Sequence, residues 1–305
     1  MRELEFVNIS NFEKAIQLAQ NIVKISKKDY KINFSLKVSF TAKLIKTSQL
    51  DDVVDLATDF QKIKCPKTLY LNHGHFITAR GVDYVIDQLK NKQSSNRAII
   101  SLINQEIILN SGDNPIPSFM ILQFSLEDNV LFVTCYFRAL EVAKFLRINL
   151  EEIRLIINSI YNSIGKIHKV KLHIFAFRAY INKNINPLVR PEIELLDEKI
   201  ILKLMEKKPD KIAHLLKQKL TDSTVIENRS IKIINDIVSN RVMNQDICEG
   251  FKKPYFVNKL QRCLDLCNKL MLLRKKTSHD KEISKLTKEY LSAIDVIIRE
   301  IEKWL

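Results

Sequence analysis

The apolar positions of this chain change period along its length. From Asn11 to about Ile25, Phe12, Ile16, Ala19 and Val23 recur every three or four residues, which predicts an amphipathic helix capped by Ser10 or Asn11. In KINFSLKVSF the period drops to two. Ile32, Phe34, Leu36, Val38 and Phe40 alternate with polar residues, the pattern of a strand with one buried face. Residues 51–61 and 82–91 read as helices, YLNHGHF as an extended or loop segment, and 97–104 as a β-branched strand. Asn110 to Pro115 is a turn cluster. SFMILQFSLEDNVLFVTCYFRAL reads as two strands joined at Glu127–Asn129, a hairpin. A helix from Glu151 should stop at Gly165, and KVKLHIFAFRAYIN is another alternating strand.

From about residue 197 strand signals fade and helical periodicity takes over. Val257, Leu260, Leu264, Cys267 and Met271 form one stripe, and Ile283, Leu286, Tyr290, Ile294, Ile297, Ile298 and Ile301 form a second. Thr277–Asp280 is the expected turn of a helical hairpin. The expected fold class is α+β, a mixed sheet with helices in a domain over 1–198, followed by an α-helical domain over 199–305. The hairpin's second stripe, ending at Trp304 and Leu305, is a candidate contact for a protein partner.

Composition narrows this only a little. Of 305 residues, 46% are hydrophobic and 28% charged, which excludes wholesale disorder. No apolar run approaches the roughly 20 residues that span a bilayer. The opening MRELEFVNIS carries acids where a secretory signal has a basic region, so the reading is cytoplasmic with no membrane partner. Five glycines and seven prolines are too few for a Gly-rich phosphate loop or a flexible linker. The five cysteines are odd in number and scattered, which argues against a disulfide framework. Lys plus Arg is 49 against 35 acids, a net +14, so nucleic acid must be weighed as a partner. The basic runs at Lys207-Lys208, Lys252-Lys253 and Arg274–Lys276 are flanked by acids and lack interleaved aromatics, so they offer no stacking platform.

Four ordered motifs in 82–188 carry more information. VDYVIDQLKNKQSSNRAIISLIN reads as a helix, then Ser95-Asn96-Arg97, then a strand. PIPSFMILQF puts Ser118 and Phe119 ahead of Gln123. YFRALEVAKFLRIN sets Arg138 and Asn149 eleven apart, and FRAYINKNINPL holds Arg178 and Tyr180. Together they resemble the thymidylate synthase family, which includes the deoxypyrimidine hydroxymethylases. The resemblance covers roughly the first two thirds of the chain. It implies that Arg97 and Arg138 grip a nucleotide 5′-phosphate, where planar bidentate donors suit the ligand. It implies that Tyr180 meets the ribose and Asn149 the pyrimidine edge. It also implies a homodimer, sheet face to sheet face.

The departures bear on chemistry. In the family a Cys thiolate attacks the pyrimidine, and here the nucleophile position is Ser118. The neighbouring His is Phe119, the His of the His-x-Tyr element is Arg178, and the Arg-Ser-x-Asp element reads Arg138-Ala139-Leu140-Glu141. A serine needs an adjacent base, and Phe119 cannot be one. The expectation is a catalytically degenerate member that acts by binding, with nucleotide- or phosphate-binding residues Arg97, Ser118, Gln123, Arg138, Asn149, Arg178 and Tyr180, and with no catalytic residue, cofactor or metal. It would serve as a subunit of a larger assembly, with antiphage defence as one setting by analogy. The plain alternative is that Arg97 and Arg138 pair with local acids such as Glu141 and that Tyr180 only packs. The functional alternatives are an enzyme of altered chemistry using Ser118, Cys135 or His75, and a nucleic-acid-binding adaptor. His73 and His75, two apart, read as solvated or hydrogen-bonded loop residues.

Overall fold

The computed structural model describes residues 5–26, 30–77, 80–111, 115–223, 225–240, 242–243, 246–276 and 281–304. The fold is mixed α+β with helices at the C-terminus. The chain divides into two compact units, one of Met1–Pro66 with Leu71–Lys183, the other of Lys67–Tyr70 with Asn184–Leu305. No described helix is long and apolar enough to cross a membrane.

The first unit is built on a six-stranded sheet. Its strands are β1 (Val7–Asn8), β2 (Tyr30–Thr41), β3 (Ile99–Ser101), β4 (Phe119–Glu127), β5 (Val130–Glu141) and β6 (Lys169–Tyr180). Their order is β1-β2-β6-β5-β4-β3. The β4–β5 hairpin turns at Asp128 and Asn129, both with positive φ (50° and 61°), the backbone a two-residue hairpin turn demands. β5 and β6 run parallel, so a crossover must join them, and the helix over Phe145–Ile164 supplies it. Helices α1 (Phe12–Lys24), α2 (Leu44–Thr47), α3 (Val54–Gln61), α4 (Gly81–Asn91), α5 (Gln105–Asn110) and α6 (Phe145–Ile164) complete the unit. The Asn11 side chain caps α1 by accepting the Lys14 N–H at 2.9 Å.

One face of the sheet is core. Phe34, Leu36, Val38 and Phe40 of β2, Leu122 and Phe124 of β4, Leu131, Val133, Cys135 and Phe137 of β5, and Val170, Leu172 and Ile174 of β6 are buried together with residues of α1, α4 and α6. The alternate residues of the same strands are only partly covered: Ile121, Phe132, Tyr136 and Phe175 are half-buried, and Phe177 is 52% exposed. Tyr136 and Phe175 are paired across β5 and β6 and their rings stack.

Three readings of the sequence need adjusting. The strand read over 97–104 is only Ile99–Ser101, because Asn104 caps the short helix α5 by accepting the Ile107 N–H at 2.8 Å. Ile32 turns out to be exposed rather than core. Helix α6 begins at Phe145, not Glu151. The Glu141 side chain accepts the N–H groups of Ala143, Lys144 and Phe145 and so starts the helix early. Of the turn cluster 110–115, residues 112–114 lie outside the described residues.

The second unit is helical: α7 (Glu198–Lys207), α8 (Pro209–Lys217), α9 (Arg229–Ser239), α10 (Pro254–Lys276) and α11 (Lys281–Glu302), with 3₁₀ turns at Glu192–Leu195 and Glu249–Lys252. The first unit ends at Lys183, ahead of the boundary read at 198, because residues after it fold with the helices. Ile193 is fully buried in their core, and Tyr70 and Leu188 are joined by a backbone hydrogen bond of 2.9 Å. Beneath that segment Glu194 is buried, ion-paired with Lys219 and hydrogen-bonded by Ser230. The Ile/Leu stripe of α11 is internal. Ile294, Ile297, Ile298 and Ile301 are buried in the helical core, and Ile283 and Leu286 pack against it. Trp304 closes that core on Phe251 and Phe256. The candidate partner surface is therefore largely used up inside the unit. The hairpin turn Thr277–Asp280 and Leu305 lie outside the described residues.

Candidate functional site

The seven residues singled out by the motifs all lie in the first unit, in several places. Ser118 and Arg138 are together. The Arg138 N–H bonds to the Ser118 carbonyl at 3.0 Å. The Arg138 guanidinium donates to the carbonyls of Pro117 at 3.2 Å and Ile116 at 3.0 Å. No carboxylate pairs with it among the described residues. Burial holds its pKa below the usual arginine range, and the nearby Tyr180 opposes that shift. Arg138 is thus a cation bound to neutral acceptors, with no ion-pair partner among the described residues.

Arg97 and Gln123 form a second place. Arg97 is exposed in the turn before β3, and Gln123 reaches back to the Asn96 carbonyl at 3.3 Å. The register sets Arg97 far from Arg138. Ala98 accepts the Phe124 N–H at 2.8 Å, which brings Arg97 level with Ser125, and Ser125 pairs with Phe132. Phe132 and Arg138 are six residues apart on one strand, roughly 20 Å. Within one copy these two arginines cannot share a phosphate.

Arg178 and Tyr180 end β6. The Arg178 guanidinium lies over the Tyr30 ring, 4.3 Å from its centroid. Tyr180 pairs with Tyr30 on one side and Glu141 on the other. Glu141 itself is buried and fully committed. Its two oxygens accept the backbone N–H groups of Ala143, Lys144, Phe145 and Asn182 at 2.6–3.1 Å. It therefore does not pair with Arg97 or Arg138, and the plain alternative built on Glu141 fails.

Asn149 is buried on α6, where its amide approaches Glu152 at 3.4 Å. Both Glu152 oxygens lie 2.9 Å from His73 Nδ1, and the His73 ring meets Phe60 and Phe119 edge-on. The sequence missed this buried His–Glu dyad because its members stand 79 residues apart. Asn149, three residues before Glu152, was the available signal. His75 shares none of it; it is exposed against Phe76. No group of three or more His, Cys, Asp or Glu side chains among the described residues could hold a metal.

Cys135 is completely buried, and burial pushes its thiol well above the ordinary range. A thiolate there is disfavoured at neutral pH. The chain matches no model of a known protein family, and no curated protein matches it.

Proposed function

We propose that the chain is a thymidylate synthase-like protein that binds, and does not convert, a pyrimidine nucleotide or a related phosphate ligand. It works as a homodimer and as a subunit of a larger assembly. The observation that carries this reading is Arg138: an exposed side chain beside Ser118 whose guanidinium is held by two carbonyls and matched by no carboxylate among the described residues. Such a charge favours an anion at that place. Loss of turnover is supported by Cys135, whose buried thiol is poorly suited to attack, and by Phe119, which stands beside Ser118 where the family has a His.

The homodimer is supported by the partly covered face of the sheet and by the arginine geometry. Arg97 lies roughly 20 Å from Arg138 along the strands of one copy. Two copies stacked face to face in opposite directions would bring Arg97 of one to Arg138 of the other. The occupant of this face is therefore a second copy.

The test is calorimetric titration with dUMP and dCMP, together with light scattering and tritium release from C5 of labelled dUMP. Expected are a dimer at micromolar concentration, nucleotide binding that weakens about tenfold in Arg138→Gln, and no tritium release. Turnover lost on Ser118→Ala or His73→Ala would establish the enzyme instead. Failure of every nucleotide to bind, with steeply salt-dependent retention of single-stranded nucleic acid, would favour the adaptor.

A further inference from the structure

We infer that the partly covered face of the sheet binds single-stranded nucleic acid, and that a bound strand and a second copy exclude one another there. The exclusion rests on the reading of this face as the dimer surface; the binding does not.

Pairing across β4, β5, β6 and β2 sets the face out in rows. Ser125, Phe132, Lys171 and Ser39 form one row. Gln123, Thr134, His173 and Lys37 form the next, and Ile121, Tyr136, Phe175 and Ser35 the one after it. Contacts place these side chains together. Lys171 Nζ lies 5.0 Å from the centre of the Phe132 ring and 5.5 Å from that of Phe6, and Lys37 Nζ lies 5.8 Å from Phe6. Tyr136 and Phe175 stack with ring centres 5.6 Å apart, and Ser35 hydrogen-bonds His173 at 2.9 Å. The intervening residues Val133, Cys135, Leu172 and Ile174 belong to the core. Phe132, Tyr136 and Phe175 are half-buried, and Gln123 and Thr134 are exposed.

The three rows contain no carboxylate. Lys37 and Lys171 lie against rings, which leaves ammonium donors for a phosphate. Phe132 and Tyr136 are four residues apart on β5, roughly 13 Å. The face therefore has two ring platforms with a polar, cationic row between them. Single strands stack their bases on rings and set their phosphates on cations, without regard to sequence. The basic runs of the sequence lack neighbouring aromatics; the interleaving arises only when β2, β5 and β6 lie side by side. A duplex keeps its bases stacked on one another and cannot use the rings. A second copy brings rings but no anion, because its own face lacks carboxylates too. A strand brings both.

The test uses the full chain and labelled oligo(dT) and oligo(U) of about 12 nucleotides, within the span such platforms cover. Fluorescence anisotropy at several salt concentrations is compared with a duplex of equal length and with deoxyuridine 5′-monophosphate, and light scattering follows the mass. The strand should bind at least about tenfold tighter than the duplex. Lys37→Gln and Lys171→Gln should each lower the salt slope by about 0.7. Phe175→Leu, apolar but without a ring, should weaken binding about tenfold and leave the slope alone. Lys269→Gln, exposed on α10, should change neither. Circular dichroism checks that each variant is folded. Added strand should convert the dimer to a complex containing one copy. Tighter binding of oligo(U) or of oligo(dT) supports the inference either way and tells RNA from DNA. Equal binding of strand and duplex, an affinity untouched by all three sheet variants, or a dimer that persists with strand bound overturns the inference and leaves the proposed function standing. Strand binding by a chain that is monomeric throughout and takes no mononucleotide supports the inference and overturns the proposed function.

Discussion

Glu141 Oε1 accepts the Asn182 N–H at 3.0 Å, which ties the last residue of β5 to the chain just beyond β6. The same carboxylate caps α6. Glu141→Gln keeps the size but replaces one acceptor oxygen with an NH₂ group facing backbone N–H donors. It should cost about 1–3 kcal/mol in urea unfolding, the range for stranding buried donors. An unchanged midpoint would mean the cap is dispensable.

Gly250 lies under the Trp304 ring. A Cβ at Gly250 would stand 2.0 Å from Trp304 Cδ2, so Gly250→Ala must displace the indole. The expected loss is about 1–3 kcal/mol, the range for overpacking a filled core. Trp304 is the only tryptophan, so its emission reports the helical unit alone. A red shift in the folded variant should accompany the loss.

Burial pushes the Cys263 thiol up to about 12 from an ordinary value near 9. Between those two values the unfolded chain has lost the proton and the folded chain keeps it, so stability falls as pH rises through that window. Urea midpoints should decline from pH 9 upward, less steeply in Cys263→Ala. Thiol reagents at pH 8 should label half-buried Cys65 and Cys248 quickly. Buried Cys135, Cys263 and Cys267 should react only on unfolding.

Because Ile294, Ile297, Ile298 and Ile301 are internal to the helical core, a chain ending at residue 254 should expose Phe251 and the residues of α8 that pack on α11. Light scattering should find aggregation. A monodisperse truncated chain with native circular dichroism per residue would mean the hairpin is an accessory after all.

What could be read in the sequence follows from locality. The alternation of Phe34, Leu36, Val38 and Phe40 and the Asn11 cap are determined within a few residues, and both lie where their pattern puts them. The hairpin turn at Asp128 and Asn129 is equally local. The early start of α6 was hidden because Glu141 is not an ordinary cap residue for a helix beginning four positions later. The stripe of α11 was legible as a stripe, but a stripe does not say whether its partner is another chain or α8 and α10 of the same one. The site was less legible still. The motifs named Arg138 and Arg178, yet where Arg178 stands at the sheet edge depends on the register of β5 with β6. The His73–Glu152 contact depends on α3, the following loop and α6 meeting in space.

The four residues Lys67–Tyr70 belong to the helical unit although the chain on both sides of them belongs to the first. Their partners come late. Leu69 bridges Val189, 189 − 69 = 120 residues on, and Thr68 accepts the Arg190 N–H at 2.7 Å. At roughly 5–20 residues per second of synthesis, this segment waits on the order of 6 to 24 seconds for the residues it pairs with. The first unit meanwhile gains nearly all of its sheet. On a ribosome, the order of assembly should follow: the sheet forms around a loop held open, and the helical unit closes only after the chain returns to collect it.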